Sequence, residues 1–564
     1  MNEISGAEAA VRMLQLNGVK HIFGLCGDTS LPFYDALHRL NHGMEHILTR
    51  DERSAAYAAD AYARVTGKVG VCEGPSGGGA TYLLPGIIEA NESSVPVLGI
   101  TSDIPVTSRG KYPLTELDQK ALYRPLTKWN AVVDRPDEVP RVFRAAFRAM
   151  TTGKPGAAHI GLPYDVQKQP LAEDLIWAQP EHGSYPSWRT APDPADVKRA
   201  AAAIVAARSP VFIVGGGIVI AGATEELSTL ALLLNAPVCT TISGQGSLGA
   251  EHPLCVGVVG TNGGVIATRE VVEMADLVIF IGARAGSTTT EHWHYPSRST
   301  AIVHIDADPM VISANYQTDV GLVGDAKLAL QGLLAEVEAI IPKDRQGCID
   351  GRAVSARAKA KRREEFELLA FSNDAPIRPE RVLNELHKLL PRDAIVVADP
   401  GTPCPYFSGY YDFMEPGRHF ITNRAHGALG YSMSAAIGAW YGRPSSKVVS
   451  VMGDGSFGFT VGELETIVRK KIPLLMIVFS NSVFGWIKAS QKFGYNERYY
   501  SVDFDRTDHA KVAAAYGVKS FTVADPADLA SVFKQAIEHD GPVLVDIISQ
   551  PLEDTAVPVS AWMG

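Results

Sequence analysis

Gly453-Asp454-Gly455-Ser456 closes the apolar run Val448–Met452, and Asn481 follows Asp454 by 27 positions (481 − 454 = 27), at the end of a second run, Ile472–Phe479. Asp454 and Asn481 each offer an oxygen donor. Hard oxygen donors suit Mg²⁺ or Ca²⁺ rather than zinc. Glycine at 453 and 455 lets the main chain approach a phosphate closely, and a helix expected from Thr460 to about Lys470 favours an anion. Both runs read as strands, and ligands of open parallel sheets bind at the carboxyl ends of strands. The chemistry that fits is a metal-bridged diphosphate. A lone Gly-Asp-Gly is more often a tight turn; the paired strands and the asparagine tip the reading. A further acid, Glu52, stands in Thr49-Arg-Asp-Glu-Arg-Ser-Ala-Ala-Tyr-Ala-Ala-Asp-Ala-Tyr-Ala-Arg64. Taken alone, Asp51 and Glu52 suit the start of a helix.

The elements that must position these residues alternate along the chain. Short apolar runs at Val19–Leu25, Val69–Cys72, Val95–Ile100, Val211–Val214, Leu277–Ile281, Ile302–Ile305, Ile395–Val397 and Val543–Ile548 mostly end at Gly, Asp or Pro. Such β-branched runs suit strands buried on both faces. Helical segments between them imply right-handed crossovers, hence an α/β fold of doubly wound parallel sheets. Ser5 and Glu8 form a capping-box pattern for a first helix that stops at Gly18. The length of 564 residues suggests about three domains. Stretches 172–195, with four prolines, and 342–365, strongly charged, read as linkers. The charge run reads as a solvated helix face. The expected domains are 1–175, 190–345 and 366–564. An Ala-rich helix, a turn, a strand and a Gly-rich loop recur at Tyr57–Gly74 and Ser434–Gly453, which suggests related first and third domains.

The Asp454–Asn481 segment resembles the signature of thiamine diphosphate-dependent enzymes, the group of acetohydroxyacid synthases, 2-oxo acid decarboxylases and oxalyl-CoA decarboxylases. The family signature ends in Asn-Asn, whereas this chain has Ser480-Asn481. The resemblance implies thiamine diphosphate and Mg²⁺, with Asp454, Asn481 and the backbone carbonyl of Val483 as metal ligands. Glu52 then corresponds to the glutamate that hydrogen-bonds the cofactor's aminopyrimidine ring. Asn423-Arg-Ala-His-Gly-Ala-Leu-Gly430 resembles the segment that grips that ring, with Gly427 and Leu429 as its contacts. His426 is as compatible with a structural role as with a substrate-facing one. Asp399-Pro-Gly401-Thr402 resembles a diphosphate-contacting loop, alongside Gly453, Gly455 and Ser456. The three domains become pyrimidine-binding, central and diphosphate-binding. The middle one carries Gly215-Gly-Gly217, Gly282-Ala-Arg284, His304-Ile-Asp-Ala-Asp308 and Val323-Gly-Asp325. In several relatives that domain binds FAD or ADP, and in others nothing, so FAD or ADP stays open. The resemblance also implies a homodimer or homotetramer with active sites between subunits.

Substrate choice falls to Cys26, Gly27, Asp28, the Gly74–Gly77 loop, Thr115–Gln119, Trp486 and Lys488. Asp28 resembles a proton-relaying aspartate of 2-oxo acid decarboxylases. Glu116 is read evenly as a second relay or as a solvated loop residue. Cys26 reads as a packing residue, because the cofactor supplies the nucleophile. The activity implied is decarboxylation or carboligation of a 2-oxo acid, similar to acetolactate synthase. The alternative is an acyl-CoA enzyme resembling oxalyl-CoA decarboxylase or 2-hydroxyacyl-CoA lyase, and the C-terminal tail Pro551–Gly564 has little positive charge for CoA phosphates. Net charge is −10, without a basic stripe, which argues against nucleic acid. No apolar stretch reaches the length of a membrane span, and the first residues lack a signal-peptide pattern. Six scattered cysteines without CxxC suit a reducing cytoplasm.

Overall fold

Eighteen strands make three six-stranded sheets, every pairing in them parallel, in a computed structural model that describes residues 2–342 and 347–555. The first sheet comprises β1 (His21–Gly24), β2 (Glu45–Leu48), β3 (Gly70–Gly74), β4 (Val97–Asp103), β5 (Trp129–Val132) and β6 (Ala158–Pro163), in the order 2-1-3-4-6-5. The second comprises β7 (Pro210–Val214), β8 (Val238–Thr240), β9 (Cys255–Val258), β10 (Leu277–Ile281), β11 (Ala301–Asp306) and β12 (Val320–Val323), in the order 9-8-7-10-11-12. The third comprises β13 (Ile395–Ala398), β14 (Phe420–Thr422), β15 (Val448–Gly453), β16 (Leu475–Ser480), β17 (Lys519–Val523) and β18 (Val543–Ile548), in the order 14-13-15-16-18-17. Counted from their own first strands, the outer sheets share one topology. The echo between Tyr57–Gly74 and Ser434–Gly453 therefore has a structural counterpart. The middle sheet instead follows the 3-2-1-4-5-6 order of dinucleotide-binding folds.

The central strands are apolar because helices cover both faces. Every residue of β10 is buried, and so is every residue of β4. Helix α1 (Gly6–Leu16) opens with the expected capping box: Ser5 Oγ accepts the Glu8 N–H, and Glu8 accepts the Ser5 N–H. Helix α2 (Glu52–Thr66) is capped by Asp51, which accepts the Arg53 N–H at 2.7 Å, and ends at Gly67 in the left-handed region. Helix α3 (Leu84–Glu92) follows in the same layer. The charged linker becomes α4 (Gly351–Ala370), which pairs Lys361 with Glu270 and Arg363 with Glu367. The solvated face holds only in part: Arg363 and Glu364 are exposed, whereas Lys359 is half-buried and donates to the Ala250 and His252 carbonyls, and Arg362 reaches Asp412. Helix α5 (Tyr431–Gly442) follows β14. One expectation fails beyond β15. The helix begins at Asp454 itself as α6 (Asp454–Thr460), breaks at Val461 and Gly462, and resumes as α7 (Glu463–Arg469). The cause is local: Asp454 Oδ1 accepts the Gly455 N–H at 2.8 Å, so the acid helps start its own turn.

The described chain falls into two compact units. The first holds the first sheet, up to Trp188, with Asn423–Ser446 and Gly458–Leu474. The second holds Arg189–Thr422, Lys447–Phe457 and the chain from Leu475, and so contains the other two sheets. Within the first unit, α5 packs on α2 almost backbone to backbone. A Cβ on Gly438 would lie 1.8 Å from the Ala58 carbonyl oxygen. Tyr57 and Tyr431 meet edge to face at 5.1 Å, and Ser434 Oγ donates to Ser54 Oγ at 2.9 Å. Gly438→Ala is expected to destabilise the fold by about 1–3 kcal/mol, the usual cost of overpacking. Thermal unfolding checks this, and an unchanged midpoint would refute the close approach.

Candidate functional site

Two clusters contain the residues singled out by the sequence, one in each unit. In the second unit, β15 delivers Asp454 and β16 delivers Asn481, at neighbouring carboxyl ends of one sheet. Asp454 is buried. Its Oδ2 accepts the main-chain N–H groups of Asn481 (2.8 Å) and Ser482 (2.6 Å). Burial pushes its proton affinity above the usual carboxylate range, while the Ser482, Asn481 and Gly455 amides act against that. Asp454 thus fixes the turn that presents Asn481 and Val483, the latter bridging to Asp503. Ser480, where the family signature has its first asparagine, is buried; its hydroxyl donates to Asp546 and hydrogen-bonds His509 Nδ1 at 2.9 Å. That residue is occupied in holding β16 to β18. Phe484 packs on Gly455, where a Cβ would stand 2.6 Å from its ring.

The donor set fits a hard divalent cation: a carboxylate, an amide oxygen and a main-chain carbonyl. Among the described residues no cluster of three or more His, Cys, Asp or Glu competes as a metal site. Open space stands beside Gly453 and beside Gly401, whose φ of +93° suits glycine. Thr402 and Ser456 are buried nearby in sequence. These features fit a diphosphate.

In the first unit, α2 opens with Glu52, 6% exposed. Its side chain runs between two glycines. A Cβ on Gly74 would lie 3.2 Å from Glu52 Cγ, and one on Gly79 3.0 Å from Oε1. Burial raises its proton affinity, and the charges of Asp51 and Glu73 add to that. Glu73 was not singled out by the sequence. It is the penultimate residue of β3, buried, accepting the Tyr34 hydroxyl and facing His46 Nε2 at 3.2 Å. The only signal was an acid near the end of an otherwise apolar strand. In the same unit, Asn423 Nδ2 donates to the Ala428 carbonyl at 2.6 Å and closes the loop that carries His426, Gly427 and Leu429. His426 and Gly427 are exposed, and Leu429 is half-buried.

The substrate-facing candidates of the first unit lie on loops tied by hydroxyls. Thr29 bonds Ser76 (3.0 Å) and Ser102 (2.8 Å), and Ser76 bonds Thr115 (2.7 Å). Asp28 is exposed at the start of a short turn, Asp28–Ser30. Glu116 accepts the Gly110 N–H at 2.6 Å and so braces its own loop. Cys26 is exposed, which corrects its reading as a packing residue: β1 ends at Gly24, so the loop beyond it leaves the core. In the second unit, Lys488 pairs with Asp503 and Glu553. In the middle sheet, Gly215 and Gly217 touch the Gly282 backbone, where Cβ atoms would stand 2.1 and 2.6 Å from it. Asp325 caps a helix and pairs with Arg189 at 2.8 Å. Those glycines and that aspartate have structural work of their own. Residues 556–564 of the tail lie outside the described residues.

Three family descriptions cover the chain in order: the thiamine pyrophosphate enzyme N-terminal TPP binding domain (residues 4–122), central domain (197–333) and C-terminal TPP binding domain (399–547). The chain belongs to the thiamine pyrophosphate enzyme family. The three parallel sheets are its three domains. Among curated relatives, a probable acetolactate synthase large subunit of Methanocaldococcus jannaschii is 37% identical over 560 residues, 98% of this chain and 93% of the relative. The acetolactate synthase isozyme 3 large subunit of Escherichia coli is 32% identical over 545 residues, covering 96% and 93%. The acetolactate synthase of Arthrospira platensis is 32% identical over 564 residues, covering 97% and 94%. No helix among the described residues is long and apolar enough to cross a membrane.

Proposed function

We propose that this thiamine pyrophosphate enzyme uses the cofactor with Mg²⁺ to decarboxylate a 2-oxo acid and ligate the product to a second carbonyl compound, in the manner of acetolactate synthase. The observation that carries the reading is the coexistence of the Asp454–Asn481 turn with a buried Glu52, in a chain similar over nearly its whole length to acetolactate synthases. When bound, thiamine diphosphate supplies a nucleophilic carbon and an electron sink. The protein's part is binding, orientation and proton control. Asp454, Asn481 and the Val483 carbonyl hold the cation. Gly401, Thr402, Gly453, Gly455 and Ser456 line the diphosphate. Gly427 and Leu429, with His426 beside them, present the ring-gripping loop. Glu52, buried and with a raised proton affinity, would be the group that holds and returns a proton to the bound ring. Asp28 and Glu116 serve the substrate side.

The reading extends to the domains 1–175, 190–345 and 366–564, to a cytoplasmic homodimer or homotetramer, and to FAD or ADP as the middle domain's ligand. The experiment is a CO₂-release assay with thiamine diphosphate and Mg²⁺, across pyruvate, longer 2-oxo acids and oxalyl-CoA, with mass analysis of products. CO₂ from a free oxo acid with a ligated product is the expected result. Release confined to oxalyl-CoA, or none from any oxo acid, refutes it.

A further inference from the structure

Glu89 lies on α3, outside every residue set described above, and is the hub of a charged group inside the first unit. Its Oε2 accepts the main-chain N–H of His426 at 2.7 Å and of Ala425 at 3.2 Å. Its Oε1 accepts from Arg64 Nη2 at 3.1 Å and from the Ser93 hydroxyl at 2.6 Å. Arg64 Nε in turn donates to Asp60 Oδ2 at 2.8 Å, and the Tyr431 hydroxyl donates to the same oxygen. The Asp60 and Glu89 side chains are 0% exposed and that of Arg64 is 7% exposed.

Two acids therefore share one base away from water. Arg64 can balance only one of them. The other charge is met by two amides of a loop more than 330 residues away in sequence (426 − 89 = 337). Buried ion groups are weak evidence for stability, because desolvation offsets most of the attraction. What such an arrangement does supply is direction: charge-assisted bonds are short and geometrically demanding. Here they fall on Ala425 and His426, immediately before Gly427 and Leu429. Asp60 and Arg64 sit on α2, the helix that Glu52 opens, and Tyr431 is the first residue of α5.

We propose that Glu89 is a positioning residue for the cofactor: it pins the Ala425–His426 turn so that Gly427 and Leu429 are held in the frame set by the Glu52 helix. The inference rests on the reading of Gly427–Leu429 as the ring-gripping loop. Glu89 touches neither the cofactor nor the reacting atoms in this account. Its loss should loosen cofactor binding and leave turnover at saturation nearly intact.

The test uses the full-length protein with Mg²⁺ and thiamine diphosphate itself as the probe. Binding is followed by titration calorimetry, turnover is measured at saturating cofactor, and hydrogen exchange reports the 423–430 amides. Glu89→Gln is expected to raise the cofactor Kd about tenfold or more, as loss of an outer partner of a bound group commonly does. The Ala425 and His426 amides should exchange faster, and kcat at saturating cofactor should fall far less than Kd rises. Ser93→Ala removes a Glu89 partner that is not on the loop and should leave Kd unchanged. An unchanged Kd in Glu89→Gln overturns the inference, and so does an equal rise in Ser93→Ala, which a merely structural role would give. Should Glu89→Gln not fold, Glu89→Asp keeps the charge but draws it back by one methylene. It must then raise Kd, and an unchanged Kd overturns the inference. Wild-type protein that fails to bind thiamine diphosphate refutes the underlying reading instead, so the two failures are distinct.

Discussion

Glu52→Gln is expected to lower turnover by about 10²–10⁴-fold, the usual worth of a positioned acid–base group, while thiamine diphosphate still binds. Glutamine keeps the length and can still hydrogen-bond, but it has no proton to hold or give up. Turnover at saturating cofactor, measured beside a binding titration, checks the split. Retention of full activity would remove Glu52 from the chemistry. A second consequence runs through stability. Burial, with Asp51 and Glu73, raises the proton affinity of Glu52 in the folded state. Between the unfolded pKa and the raised folded one, the folded state binds the extra proton, so stability falls as pH rises. Above that window the full cost of ionising a buried acid remains. Glu52→Gln should therefore melt higher than the wild type at neutral pH and above. The gain should vanish as pH falls towards the ordinary carboxylate value. A less active but more stable variant is what a strained functional position predicts.

Gly79 supports the same argument from the other side. A Cβ there would stand 2.4 Å from the Pro75 ring and 3.0 Å from Glu52 Oε1. Gly79→Ala should therefore push first on the Pro75 loop and crowd the carboxylate behind it, lowering turnover, checked by the same pair of measurements.

Most interior strands were legible because their burial shows directly as apolar runs; Leu277–Ile281 and Val543–Ile548 match residue for residue, whereas the equally buried Ala158–Pro163, interrupted by His159 and Gly161, and the short Val238–Thr240 were missed. Strands at sheet edges were not. Glu45–Leu48, Trp129–Val132 and Lys519–Val523 carry polar or bulky residues on a half-solvated face, so no apolar run marks them. The acids at strand ends were legible because glycine and asparagine surround them. Glu73 and Glu89 were not. A buried acid in the sequence looks like any exposed one, and its partners, Tyr34 and His46 for the first, Arg64 and the 425–426 amides for the second, are assembled only by the fold. The glycines of Gly215-Gly-Gly217 are a weak signal for a nucleotide loop, because they also serve to let two backbone segments touch.

Asp454→Asn should raise the Mg²⁺ concentration needed for cofactor binding by more than about 100-fold, beyond the 10–100-fold commonly lost with an outer partner of a metal site. It should also destabilise the protein without any metal present. Asp454 spends both oxygens on main-chain donors: Oδ1 on Gly455, Oδ2 on Asn481 and Ser482. Asparagine has one oxygen, so its NH₂ must face either Gly455 or the other two amides. Either choice leaves buried donors opposed, at about 1–3 kcal/mol for each unsatisfied group. The two effects separate with Asn481→Ala. That change removes a proposed ligand oxygen but keeps the Asn481 main-chain N–H on which Asp454 rests. It should raise the Mg²⁺ requirement with little change in the metal-free melting temperature. Titrating Mg²⁺ against cofactor binding, beside metal-free melts of both variants, resolves the pair. Equal Mg²⁺ requirements in wild type and Asn481→Ala would leave the Asp454 turn as a purely structural device. A large rise in both variants, with destabilisation confined to Asp454→Asn, is the signature of one acid that builds the turn and binds the cation through it.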